Sequence, residues 1–331
     1  MMLILSLIIS LVIILLGAEL FTNSVEWLGQ KWHLSEGAVG SLLAAVGTAL
    51  PETTIPLIGI ILEKEPAASE IGIGAILGAP FMLTTLALAL TGLAALICKY
   101  KRKGKIMMLI NQNIIQRDLS FFLFLYSISI LAALLESPAW RQLITVTLVG
   151  VYLFYVWLTL KSKSTSPAVN LRPLYFQHRA INPQLLSILT QLAFGLTVLI
   201  VGAHLFVKEI EKLAELLNLP PLILSLIVAP VATELPEKLN SLIWVYQGKD
   251  TLALGNITGA MVFQSSLIPA LGIALTPWKL SPLALLSAGL TLLSAGQIYY
   301  QIRVKRLLHP SVLLLGGFFY LIFITTVLLT I

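Results

Sequence analysis

Two short segments carry an acidic residue directly after a proline within apolar surroundings: AAVGTALPETTIP, residues 44–56, and APVATELPEKLNS, residues 229–241. An ionised glutamate near the bilayer centre costs at least about 2.5–3.5 kcal/mol, so it needs a cavity, a proton or a cation as its partner. Proline breaks a helix and frees backbone carbonyl oxygens. Together with threonine hydroxyls, Glu52 and Glu237 could therefore supply the hard oxygen ligands that calcium prefers. The alternative is that the prolines only kink helices and the glutamates make interhelical hydrogen bonds.

Glu234 admits two interpretations. It lies three residues before Glu237, on roughly the same helical face, and could be a third carboxylate of a cation site. It also lies four residues before Lys238 and could pair with that lysine as a neutral couple. We prefer the ligand interpretation, because Pro236 is expected to disturb the turn that the ion pair needs.

The rest of the chain must hold these segments inside a membrane. Of 331 residues, 58% are hydrophobic and 11% charged, and the mean hydropathy is +0.95, whereas about a quarter of the residues of a soluble domain are charged. This composition excludes a soluble enzyme and predicts an all-α integral membrane protein. Charge-free apolar stretches predict ten spans, near residues 2–20, 37–62, 71–97, 119–135, 142–160, 184–206, 221–247, 251–275, 280–302 and 311–331.

The basic residues predict the orientation of these spans. With ten spans, most lysines and arginines fall on one side, including the run KYKRKGK at 99–105. By the positive-inside rule that side is cytoplasmic, so both termini face outward. The polar stretch 161–183 is then a cytoplasmic linker between spans five and six. We expect the basic run to determine topology rather than to bind nucleic acid, and the expected partners are membrane lipid and small inorganic cations.

An internal repeat relates the two halves. Residues 17–52 align without a gap on residues 202–237, with thirteen identities in thirty-six positions, several of them polar or helix-breaking. Since each half has an odd number of spans, the second copy must be inverted relative to the first, as in many secondary transporters. The alternative is chance similarity between apolar segments.

The repeated motif resembles that of a known family. GTALPE (47–52) and ATELPE (232–237) are similar to the G-[ST]-S-x-P-E signature of the calcium/cation antiporter superfamily, which includes the sodium/calcium exchanger and its prokaryotic relatives. EIGIGAILGAPF (70–81) and DTLALGNITGAMVF (250–263) resemble the family's G-N-x-x-G-S-N-x-F-N segment. The resemblance implies ten helices in two inverted five-helix repeats, with helices 2 and 7 broken. It divides the chain into repeat 1–160, linker 161–183 and repeat 184–331.

The resemblance also implies an activity and a site. The activity is alternating-access exchange of Ca²⁺, or a similar divalent cation, against Na⁺ or H⁺. The implied metal ligands are Glu52 and Glu237, and the other implied ion-binding residues are Thr48, Thr233, Asn256, Gln264 and the carbonyls of Ala45 and Pro230. The chain departs from the family pattern at Ala49, Ala75, Ala79, Pro80, Glu234, Ala260 and Met261. These changes remove most of the side-chain oxygens expected to hold sodium in the first repeat, so proton coupling is an alternative to sodium coupling.

Other functions are weighed against antiport. A cation/proton antiporter with a different cation, a passive channel and a membrane-embedded enzyme remain alternatives, although Thr48, Thr233 and Asn240 form no recognisable catalytic set. No phosphate loop or haem motif occurs, so no cofactor is expected besides the transported ions. The compact chain predicts a prokaryotic plasma membrane, and it is compatible with a monomer.

Overall fold

The computed structural model describes residues 2–49, 73, 76–98, 107–135, 137–162, 171–216 and 234–330. In this part of the chain all regular elements are helical, as predicted. The principal helices are α1 (Met2–Lys31), α2 (Glu36–Ala49), α3 (Ile76–Ile97), α4 (Gln112–Leu134), α5 (Pro138–Lys161), α6 (Leu185–Leu216), α7 (Leu235–Tyr246), α8 (Asp250–Leu275, interrupted after Gln264), α9 (Pro282–Lys305) and α10 (Pro310–Thr330).

Eight of these helices are long and apolar enough to cross a membrane. The other two, α2 and α7, border on residues outside the described ranges, and they correspond to predicted spans two and seven. The middle of each of these two spans, where the break was predicted, therefore lies at the edge of what the structure describes.

Three predicted helix limits were wrong, one of them the end of the sixth span, which was predicted near residue 206, whereas α6 continues to Leu216. The first span was predicted to end near residue 20, but α1 continues to Lys31. Its last third is polar because those side chains bind other parts of the protein. The fourth span was predicted to begin at residue 119, but α4 begins at Gln112. Asp118 thus lies almost two turns inside a helix and is completely buried.

Helices α1 and α6 pack closely through glycines at equivalent places in the repeat. A Cβ atom on Gly17 would lie 2.7 Å from the backbone nitrogen of Leu199, and one on Gly202 would lie 3.0 Å from that of Ile14. Ile14 and Leu199 are separated by 185 residues, as are Gly17 and Gly202. Gly17 thus contacts Leu199, the counterpart of Ile14, and Gly202 contacts Ile14 itself. Such a reciprocal pattern is expected for an interface between two units related by a two-fold axis. This contact supports the inverted repeat.

Three connections meet at one end of the molecule. The Met108 amide donates to the Leu308 carbonyl at 3.1 Å, and the Leu109 amide donates to Asp250 Oδ2 at 2.7 Å. The Asn111 amide donates to Thr251 Oγ1 at 2.9 Å. Three connections thus lie on the same side of the molecule: α3–α4, α7–α8 and α9–α10. This is expected if each helix crosses the membrane once, because an even number of spans separates any two of these connections.

The linker region before α6 docks on α1. Trp27 Nε1 donates to the Arg172 carbonyl at 2.9 Å, and the Arg172 side chain pairs with Glu19 at 2.8 Å. The Tyr175 hydroxyl also donates to Glu19, at 2.8 Å. The pKa of the Tyr175 hydroxyl is raised, mainly because the group is partly buried and also because it donates to the negatively charged Glu19 carboxylate. These contacts explain why the polar residues at the end of α1 belong to a helix rather than to a loop.

The first part of α8 forms the centre of the protein. Every residue from Asp250 to Gln264 is buried, and this segment packs against α2, α4 and α7. A helix surrounded on all sides by other helices is shielded from lipid, so its polar side chains can be used for internal contacts.

Candidate cation site

The first turn of α7 carries the second Pro-Glu pair. The helix begins at Leu235 with Pro236 in its first turn, where the missing amide costs little because these amides have no intrahelical partner. Glu237 follows in the same turn and is fully buried. The positive end of the helix dipole stabilises a carboxylate at this position. The proline of this motif therefore marks a helix start, and the residues before Glu234 lie outside the described ranges.

Glu234 and Lys238 form a buried ion pair across this turn. Lys238 Nζ donates to Glu234 Oε2 at 3.0 Å, and the two side chains are 2% and 1% exposed, respectively. The Lys238 amide also donates to the Glu234 carbonyl at 3.3 Å. The expectation that Pro236 would disturb the turn was wrong, because the amide that closes the turn belongs to Lys238 and not to the proline.

Asn256 of α8 packs beside Glu237. Its Nδ2 donates to the Glu237 carbonyl at 3.1 Å and to Ser241 Oγ at 3.1 Å. A carbonyl can only accept, so this contact fixes the orientation of the amide. Within the described residues, Asn256 Oδ1 is buried and has no hydrogen-bond donor, which leaves this oxygen available to a cation. Gln264 is also buried, but it lies two turns further along α8, about 12 Å along the axis, so the two amides sit at different depths.

On α2, two of the predicted ligand oxygens lie close together. Thr48 Oγ1 donates to the Ala44 carbonyl at 3.0 Å and lies 3.5 Å from the carbonyl oxygen of Ala45. The hydroxyl proton is thus directed into the helix, which leaves oxygen lone pairs for another partner. Because calcium binds oxygens at about 2.3–2.6 Å, two oxygens at this separation can contact one ion.

Three of the predicted ligands lie outside the residues that the structure describes. They are Glu52, Thr233 and Pro230. Among the described residues, no group of three or more histidines, cysteines, aspartates or glutamates could hold a metal ion. The meeting of Glu52 and Glu237 therefore stays a prediction.

Helix α8 reaches α2 through the second motif predicted from sequence. A Cβ atom on Gly259 would lie 2.2 Å from the Ser41 carbonyl oxygen, and one on Gly255 would lie 3.1 Å from Ser41 Oγ. Glycines four residues apart let two helix backbones approach closely. Ser41 lies in a π-helical stretch of α2, Val39–Ala44, a local geometry that is frequent at functional sites.

Asp118 joins four helices and was missed in the sequence analysis. Its Oδ2 accepts from Ser41 Oγ of α2 at 2.6 Å and from Thr258 Oγ1 of α8 at 2.9 Å. Its Oδ1 accepts from the Tyr155 hydroxyl of α5 and from the neighbouring Arg117, each at 3.0 Å. The carboxylate is thus surrounded by donors and fixes α2 against α8. The available signal was a lone aspartate at the edge of an apolar stretch.

A second buried contact ties α1 to the start of α8. Lys249 pairs with Glu26, and Trp244 Nε1 of α7 donates to Glu26 Oε1 at 2.7 Å. The polar end of α1 thereby fixes the connection between α7 and α8. Together with Asp118, this contact determines how the helices of the candidate site are held.

The fold and the duplicated Pro-Glu motif define a class of protein: a helical membrane transporter built from inverted repeats. The family model described as sodium/calcium exchanger protein matches residues 2–161 and 187–331, and the chain belongs to this family. The fold is similar to that of the sodium-calcium exchanger NCX_Mj, with a TM-score of 0.76 at 21% identity over 98% of each chain.

Two relatives are similar to this chain over most of its length. An uncharacterized membrane protein of Methanocaldococcus jannaschii, MJ0091, is 25% identical over 77% of this chain and 76% of its own length. The putative antiporter CaxA of Alkalimonas amylolytica is 24% identical over 81% of this chain and 79% of its own. The predicted superfamily, the all-helical inverted-repeat fold and the prediction of a cation antiporter rather than an enzyme are confirmed.

Proposed function

We propose that the protein exchanges Ca²⁺, or a similar divalent cation, against Na⁺ or H⁺ by alternating access. The observation that carries the proposal is the complete burial of Glu237 in the first turn of α7, in a motif that the chain repeats at Glu52. A buried carboxylate needs a compensating positive charge. Two such groups from inverted repeats match the charge of one divalent cation.

The proposed ligands come from both repeats. Glu52 and Glu237 supply the charge. Neutral oxygens of Thr48, Thr233, Asn256 and the carbonyls of Ala45 and Pro230 complete the coordination, as calcium takes about six to eight oxygen ligands. Gln264, two turns further along α8, would bind a cation at a different depth. The 3.5 Å separation of the Thr48 and Ala45 oxygens and the open Oδ1 of Asn256 support this set.

The coupling ion is proposed to be Na⁺ or H⁺. When the divalent cation leaves, the two glutamates need other positive partners, and either ion could serve. The names of relatives agree with cation exchange without deciding this point: one is a putative antiporter, and a sodium/calcium exchanger of Methanosarcina acetivorans, MaX1, is 30% identical over 28% of this chain.

The proposal includes the predicted setting. The protein would lie in a prokaryotic plasma membrane, surrounded by lipid, with both termini outside and a monomer sufficient for exchange. Repeats 1–160 and 184–331 would rock against each other, with the linker 161–183 on the cytoplasmic side. The basic residues of the sequence and the common side of three connections support this orientation.

Transport in everted vesicles tests the proposal. Calcium uptake driven by an imposed sodium or proton gradient should disappear in Glu52→Gln and in Glu237→Gln, since each change removes one of two charges. Glu209→Gln is a matched control, because Glu209 is partly exposed and pairs with the exposed Lys212. Normal uptake in both motif variants would contradict the proposal. Comparing the two gradients names the coupling ion.

A further inference from the structure

The members of the Glu234–Lys238 pair lie on either side of the proposed calcium ligand Glu237 in the sequence. Both side chains are almost completely buried, and Nζ of Lys238, in the first turn of α7, lies 3.0 Å from Oε2 of Glu234, the residue directly before that helix. A buried ion pair is weak evidence for stability, because desolvation of the two charges offsets most of their attraction. Its presence in the first turn of α7 therefore calls for an explanation beyond folding.

Lys238 neutralises only one side of the Glu234 carboxylate. The ammonium contacts Oε2, whereas Oε1 is buried and has no hydrogen-bond partner within the described residues. A buried carboxylate with such an open oxygen is a ready cation ligand, and among the described residues the Lys238 ammonium is the positive charge that contacts it. A lysine ammonium is a compact unit charge, equal in charge to a bound sodium ion.

We propose that Lys238 is a built-in monovalent cation that occupies Glu234 and keeps sodium from binding there. This inference rests on the proposed function and deepens it, because it specifies how the site discriminates between ions. The transported charge is then set by Glu52 and Glu237 alone. One divalent cation balances these two carboxylates, and Glu234 takes no part in the exchange.

Removing the lysine tests this assignment without using calcium. The purified wild-type protein and Lys238→Met are heated in detergent at increasing NaCl, with choline chloride maintaining ionic strength. Sodium should stabilise Lys238→Met with an apparent affinity at least about tenfold above that of the wild type, because removing a nearby unit charge has at least this effect. Glu234→Gln/Lys238→Met should lose the gained response, since it lacks the carboxylate. Lys212→Met, in an exposed Glu-Lys pair, should behave like the wild type.

The proposal is overturned if sodium stabilises the wild type as strongly as Lys238→Met, or if Lys238→Met does not respond to sodium. These results are independent of whether the wild type binds calcium. If the wild-type protein neither binds nor transports calcium, this result would instead count against the proposed function.

A second variant covers the case in which Lys238→Met does not fold. Glu234→Gln removes the carboxylate that the Lys238 ammonium contacts, next to Glu237. Calorimetry should show calcium binding weakened by about a hundredfold, the effect of one unit charge on a divalent cation about 12 Å away at an effective dielectric constant of 20. A change in calcium affinity of less than about twofold would overturn the proposal, because a positive charge at Lys238 must repel a calcium ion bound at Glu237.

Discussion

Replacing Gly17 by alanine tests the reciprocal contact between α1 and α6. The added methyl group would lie 2.7 Å from the Leu199 nitrogen and 3.1 Å from its Cα atom. Backbone atoms cannot rotate away, so the two helices must separate. Overpacking of this kind costs about 1–3 kcal/mol, whereas alanine in place of glycine within an unobstructed helix stabilises by roughly 0.5–1 kcal/mol.

The matched control is Gly289→Ala in α9, where an added Cβ atom meets nothing within 4 Å. We expect the two variants to differ in free energy of unfolding by about 1–3 kcal/mol, the cost of overpacking, because both gain the same helix propensity. Because the contact is reciprocal, Gly202→Ala should lose a similar amount to Gly17→Ala. Equilibrium unfolding in mixed detergent micelles measures these differences. If Gly17→Ala were as stable as Gly289→Ala, the close contact between α1 and α6 would be refuted.

Four further substitutions probe contacts between distant parts of the chain. Asp118→Asn should lower the free energy of unfolding by about 3 kcal/mol, since an amide nitrogen must then face hydrogen-bond donors in a buried site. Thr258→Val removes one of these donors and should lower the free energy of unfolding by only about 1 kcal/mol in the same assay. Glu26→Gln should cost about 1–3 kcal/mol, less than a fully buried pair because Lys249 is 16% exposed, and an unchanged midpoint would contradict the contact. Tyr175 should ionise above pH 10 in a difference titration against Tyr175→Phe, because its pKa is raised. Its contribution to linker docking is present below pH 10 and is lost as the pH rises through the raised pKa; a midpoint at or below 10 would contradict its contact with Glu19.

Much of the fold could be predicted because the membrane imposes it. Apolar length alone determined most spans, since a backbone in lipid must satisfy its hydrogen bonds within a helix. The start of α7 at a Pro-Glu pair could also be predicted, because proline acts on its own helix turn. The pairing of Glu234 with Lys238 follows from their spacing of four residues, yet our preference for the ligand interpretation rested on a misjudged effect of Pro236.

The local features could thus be derived from the order of residues alone. They are the spans, the repeat and the duplicated motif, whose chemistry depends on neighbours along the chain. Tertiary structure decided which distant groups meet. Nothing near Asp118 in the sequence indicates Ser41 or Thr258, and nothing near Glu26 indicates Lys249 or Trp244. These contacts depend on which faces of separate helices pack together, and that arrangement is set by glycines and buried polar groups acting jointly across the whole chain.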